Sequence, residues 1–145
     1  DDASEQEFKN IYSRELYETS NIETIGWIDV TSEKFIELAA SCIGLVYPSC
    51  SEGQAGAVVT CMQAGLIPIV SYETGIDVDD FGLVLENCSV PKIIEAVTSV
   101  STEPLPNLRE RATKSWQQAR QNHTQEHYLA KYQKMIETIL AEQSN

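Results

Sequence analysis

Ile43-Gly44-Leu45-Val46-Tyr47-Pro48-Ser49-Cys50-Ser51-Glu52-Gly53-Gln54-Ala55-Gly56-Ala57-Val58-Val59-Thr60 is the stretch that decides the fold. Ile43 to Tyr47 is a short apolar run, the pattern of a strand buried on both faces, as parallel strands usually are. Pro48 ends it. The segment 48–56 is rich in turn formers, and 57–64 is apolar enough for a buried helix that Gly65 can terminate. A second apolar strand follows at Ile67 to Ser71, with Pro68 expected near its start, where a missing N–H is tolerated. Strand, glycine loop, helix and strand together predict a βαβ unit.

The pattern extends in both directions. Residues 4–19 carry Phe8, Ile11, Tyr12 and Leu16 at helical spacing. Ile22 to Ile28 reads as a strand, and Thr31 as the cap of a helix whose face is Phe35, Leu38, Ala39 and Cys42. After Ser71, residues 72–81 form a polar loop and Gly82 to Leu85 a short strand. Ser89 heads a helix with Pro91 in its first turn and Val90, Ile93, Ile94, Val97 and Val100 on one face. Residues 101–106 link to two final helices, about 107–121 and 124–142. The fold class is α/β: a Rossmann-like, mostly parallel sheet of about four strands with helices on both faces. A single partial domain is expected over 1–145, with the helices of 107–145 packing on it.

The chain has 145 residues and a formal net charge of -12. That balance excludes a phosphate-backbone partner, so no nucleic acid is expected. It also means that an anionic ligand must be held by local dipoles against a repulsive field. No apolar run is long enough to span a membrane, and the acidic start is no signal peptide. Cys42, Cys50, Cys61 and Cys88 form no C-x-x-C pair. Cys42 and Cys61 read as small buried side chains, and reduced thiols fit a cytoplasmic location.

The chemistry is expected at the 48–56 loop. A helix N-terminus has unpaired N–H groups and partial positive charge, and binds phosphate without a cationic side chain. Gly53 and Gly56 let backbone and ligand approach closely. The loop follows the carboxyl end of a strand, where open α/β sheets bind ligands. Glu52, beside such a pocket, suits sugar hydroxyls better than phosphate. A tight connection with no ligand would have the same spacing.

Tyr47-Pro48-Ser49-Cys50-Ser51-Glu52-Gly53, followed by Cys61-Met62-Gln63-Ala64-Gly65-Leu66-Ile67-Pro68-Ile69-Val70-Ser71, resembles the donor-binding signature of family 4 ("group 1") retaining glycosyltransferases. The family pattern is roughly P-S-x-x-E-G, then E-A-M-A-x-G-x-P-V-V-x-S. Ile25-Gly26-Trp27-Ile28 is similar to the family's F-L-G strand end, and Gly82-Leu83-Val84-Leu85 to its G-L-L-V strand. The closing helices, with Trp116, Tyr128 and Tyr132, resemble the family's own. The resemblance covers nearly the whole chain. It implies the C-terminal, donor-binding domain of a fold with two Rossmann-like domains (GT-B).

The resemblance also implies an activity: transfer of a sugar, with retention, from a nucleotide-diphosphate donor to an acceptor, without a metal or other cofactor. Glu52 becomes the candidate catalytic residue, contacting the donor sugar. Ser51, Gly53, Gln54, Ala55 and Gly56 form the loop whose amides hold the diphosphate. Thr60 faces the ribose, Gly26 and Trp27 lie near the base, and Gly75 belongs to a loop beside the nucleotide. Trp27 could equally pack as core. Thr60 replaces the family's second Glu, and the cationic residues that clamp the diphosphate belong to a part of the domain upstream of this sequence. The expected partners are therefore a nucleotide-diphosphate sugar and the acceptor domain of a parent protein. Apolar surface left open would favour a homo-oligomer. Alone, the chain is expected to be inactive.

The alternative is a non-catalytic nucleotide-sugar-binding or interaction module of the same fold. A sugar-nucleotide epimerase is a weaker rival, since the E-G…M pattern argues against it. His123-Thr124-Gln125-Glu126-His127 matches the metalloprotease pattern H-x-x-E-H. His123, however, precedes a helix cap, and no third ligand is apparent. Asp77, Asp79 and Asp80 read as a solvated turn rather than a cation site, and Tyr128, Tyr132 and Met135 as core or as contacts to a missing half.

Overall fold

The computed structural model describes residues 3–143. The chain divides into two compact units, Asp1–Phe35 and Ile36–Asn145.

In the first unit, helices α1 (Ala3–Ile11) and α2 (Ser13–Tyr17) form the predicted helical stretch, interrupted at Tyr12. The Phe8 and Tyr12 rings lie 4.8 Å apart, and Lys9 pairs with Glu5 at 2.9 Å. The strand predicted at Ile22 to Ile28 is not formed. Gly26 has φ +76°, a left-handed conformation that breaks an extended run, and a strand also needs a paired neighbour. The Thr24 hydroxyl instead donates to the Leu16 carbonyl at 2.6 Å. The cap of α3 (Glu33–Ala40) is one residue later than predicted. Ser32 Oγ accepts the Phe35 N–H at 3.2 Å, while Thr31 turns back and donates both its N–H and its hydroxyl to Asp29.

The second unit holds a three-stranded parallel sheet, one strand fewer than expected. Its order is β1 (Gly44–Tyr47), β2 (Ile67–Val70), β3 (Leu83–Val84), with Gly44 opposite Ile67 and Ile69 opposite Leu83. Helices α4 (Gly56–Gln63), α5 (Val90–Ser101), α6 (Leu105–Asn122) and α7 (Gln125–Gln143) complete it. The central strand β2 is buried throughout, but β1 is an edge strand, and Val46 is 42% exposed. The expectation that both faces of β1 are buried fails at Val46, which lines an open pocket with Ile69, Val97 and Val100 at the margin of the core on that face. Pro68 is tolerated in the central strand by alternation. The N–H groups of Ile67 and Ser71 point to β1, so position 68 faces the other side, where the β3 ladder begins only at Ile69.

The sheet separates two cores. Val58, Met62, Val70, Phe81 and Ala119 pack on one face with Leu45 and Tyr47. Ile67, Ile69, Leu85 and Val100 pack on the other with Ile93, Leu108 and Ala112. Helix α6 contributes to both. It is also pinned by polar contacts: Arg111 donates to the Phe81 carbonyl at 2.9 Å and the Gly82 carbonyl at 3.1 Å and pairs with Glu103, while the buried Ser115 hydroxyl donates to the Leu66 carbonyl at 2.7 Å. Gly65, at φ +83°, ends α4 as predicted.

Two burial expectations are reversed. Cys42 is exposed and only Cys61 is half-buried, where burial pushes its thiol above the ordinary range. The α7 residues Tyr128, Tyr132 and Met135 are exposed, because α7 lies at the margin of the unit, which overturns their reading as core and leaves untouched the alternative that they are contact residues. Among the described residues no helix is long and apolar enough to cross a membrane.

Candidate functional site

The loop from Pro48 to Ala55 links the carboxyl end of β1 to the N-terminus of α4. It is fastened by two hydrogen bonds to the turn after β2, which is itself braced by a third. The Ser71 hydroxyl, at the end of β2, donates to the Ser49 carbonyl at 2.5 Å. The Ala55 N–H donates to the Thr74 carbonyl at 2.9 Å, and the Thr74 hydroxyl donates to the Ser71 carbonyl at 2.8 Å. Gly75 sits against the loop at φ +64°, and a Cβ there would lie 2.5 Å from the Gly53 carbonyl oxygen. The sequence placed this loop correctly because each partner is itself anchored at the end of a strand.

Glu52 stands exposed on the loop and accepts a hydrogen bond from the Tyr47 hydroxyl at 2.8 Å, which pushes the Tyr47 phenol above its ordinary range. It borders a cleft of about 530 Å³ together with Tyr72, Glu73, Gly75, Asp77 and Asp79. The cleft is lined by carboxylates and no cation. Hydrogen bonding by carboxylates suits a hydroxyl-rich ligand, and phosphate would be repelled. The other end of the loop faces a different space. Gln54 and Gly56 line a second cavity, about 360 Å³, with His123, His127, Tyr128 and Lys131. Of the anticipated loop residues, then, Glu52 and Gly75 meet at one cleft, and Gln54 and Gly56 at the other.

Ser51 and Gly53 are exposed on the loop. The Ala55 amide is already bonded to Thr74, so it has no N–H for a ligand. The Gly56 and Ala57 N–H groups are the ones left open, and no side chain caps α4. Thr60 donates its hydroxyl to the Gly56 carbonyl at 3.0 Å, so that donor is committed within α4. Gly26 and Trp27 belong to the first unit, where Trp27 is 88% exposed. Asp80 pairs with Lys114 at 2.6 Å, which holds its carboxyl below the ordinary range. Among the described residues, no group of three or more His, Cys, Asp or Glu side chains is arranged to hold a metal.

His123, His127 and Lys131 were missed as a set. His123 follows α6, and His127 and Lys131 lie on the first turns of α7. Their recurrence at every fourth residue was the available signal. His123 is held below the ordinary imidazole range, chiefly by burial and then by His127 and Lys131, with Asp77 opposing.

The sequence matches no known family profile and no curated protein. Pro68 also follows Gly65 one position later than in the glycosyltransferase pattern it resembles.

Proposed function

We propose that this chain is the donor-binding portion of a retaining glycosyltransferase, contacting a nucleotide-diphosphate sugar and acting with the acceptor domain of a longer protein. One observation carries the reading: a single loop at the carboxyl end of a parallel strand has a carboxylate-lined cleft at Glu52 and an uncapped helix N-terminus at Gly56. Sugar hydroxyls suit the first and phosphate the second. The resemblance of the 47–71 segment to the family 4 signature supports the same assignment.

In this reading Glu52 orients the sugar, with Tyr47 steadying its carboxylate. The Gly56 and Ala57 N–H groups face the charge that develops on the departing diphosphate, so their contribution is electrostatic stabilisation already in place before bond cleavage. The bond from the anomeric carbon to the diphosphate oxygen breaks, the acceptor oxygen bonds to the same face of the sugar, and the acceptor hydroxyl's proton passes to the departing diphosphate. The acceptor and its domain complete the site, so the chain by itself binds without turning over. Exposed apolar residues on α7, such as Leu129, Tyr132 and Ile136, supply surface for that domain or for a second copy.

A second reading is a binding module without catalysis. The commitment of the Thr60 hydroxyl to the Gly56 carbonyl favours it, because a position expected to hold ribose is spent on the helix.

Calorimetric titration with UDP, GDP, ADP and their common sugar conjugates tests both. Saturable binding that weakens in Glu52→Ala and Gly56→Asp supports the donor site. A well-folded chain that binds none of them removes it.

A further inference from the structure

The chain carries 22 carboxylates against 10 lysines and arginines. The cavity between α4 and the α6–α7 junction departs from that balance. Gln54, Gly56, His123, His127, Tyr128 and Lys131 line it, and no carboxylate does. Lys131 makes no ion pair or hydrogen bond with its side chain among the described residues, whereas Lys114 and Lys92 are each held by carboxylates. The N–H group of Gly56, which lines the cavity, has no acceptor, and neither has that of Ala57, the next residue in α4. His127 has a buried Nε2 atom with no hydrogen-bond partner. An unpaired buried nitrogen is costly, and a half-turn of the ring would put a carbon in its place and free the nitrogen. Donors without acceptors, collected around one space, call for an anion with several oxygens.

We propose that this cavity is a phosphoryl-binding site in which Lys131 and the His123 and His127 rings supply the positive charge, and the Gly56 and Ala57 N–H groups the directed hydrogen bonds. The site stands on the cavity's own chemistry, and rests on the nucleotide-sugar reading only for which phosphorylated molecule enters it. The lysine ammonium acts as a point charge at the rim, and the helix terminus fixes the orientation of the oxygens. The His123 imidazole makes the affinity depend on pH. Burial, then His127 and Lys131, oppose the protonation of His123, and Asp77 favours it. Binding of an anion shifts His123 toward the charged form, so affinity rises as pH falls through the range in which that ring takes up its proton.

The test uses the full chain and inorganic pyrophosphate, followed by the ring proton signals of His123 and His127 and by calorimetry. The expected result is saturable movement of both ring signals, binding that tightens from pH 8 to pH 6, and a loss of roughly tenfold in affinity in Lys131→Ala. Lys134→Ala removes the same charge from the same helix outside the cavity and is expected to leave binding within about twofold. Absence of saturable shifts overturns the site, as do equal losses in the two lysine variants. A nucleoside diphosphate sugar is titrated in parallel. If pyrophosphate binds and the sugar conjugate gains nothing over it, the phosphoryl site stands and the donor-sugar reading falls. If the sugar nucleotide binds without moving either ring, the donor reading stands and the phosphoryl site falls.

Discussion

Gly75 lies so close to Gly53 that a Cβ at position 75 would stand 2.5 Å from the Gly53 carbonyl oxygen, and its φ of +64° is one that L side chains rarely adopt. The turn after β2 therefore presses directly on the loop that carries Glu52. Gly75→Ala is expected to lower stability by about 1–3 kcal/mol and to displace the loop. Urea unfolding measures the first. Loss of ligand affinity beyond that caused by Glu73→Ala, which keeps the backbone, measures the second. An unchanged midpoint would mean the two backbones are not in contact.

Removing single polar groups from α6 should be costly for its size. Ser115 is fully buried and its hydroxyl serves the Leu66 carbonyl. Ser115→Ala leaves that carbonyl short of a donor and is expected to cost about 1–3 kcal/mol. Arg111 serves two carbonyls and Glu103, and its side chain is only 14% exposed. Arg111→Ala is expected to cost roughly 2–4 kcal/mol. Arg111→Lys should recover little, because an ammonium cannot present three directed donors in a plane.

Acid sensitivity should include a contribution from His123. Its folded pKa is depressed, mainly by burial, from an ordinary value of 6.5. The unfolded chain then binds the proton more readily, so stability is fully present above 6.5 and falls as pH drops from there to the lower folded value. His123→Gln is expected to flatten the thermal midpoint over that window. Asp29, Asp80 and Glu86, whose carboxyls are held below their ordinary ranges, act only at lower pH, as it falls through the carboxylate range. A midpoint that declines equally in the variant would assign the effect to another group.

Much of the second unit was legible in the sequence. The order β1, loop, α4, Gly65, β2 follows from short apolar runs punctuated by glycine and proline, and those signals are local. The strand expected at Ile22 to Ile28 was not decidable in that way, since an isoleucine-rich run becomes a strand only where a neighbour pairs with it. The exposure of Val46 was hidden as well: an apolar run does not say where the core on either face of a sheet ends. The pairing of Gln54 and Gly56 with His123, His127 and Lys131 joins segments far apart in the chain. It depends on the packing of α6 against α4 and β2, which no periodicity encodes. Thr60 shows a further limit. Its identity was plain, but only the structure gives the carbonyl to which it donates.

The place of α6 has a consequence for how the second unit comes apart. Ala119 belongs to the core on one face of the sheet, and Leu108 and Ala112 to the core on the other. Neither core can open while the helix stays docked, and neither can persist once it leaves. The two layers should therefore lose their slowly exchanging amides together, in one cooperative event, so that amides of β2 and α4 exchange at a common rate set by the release of a helix distant in sequence.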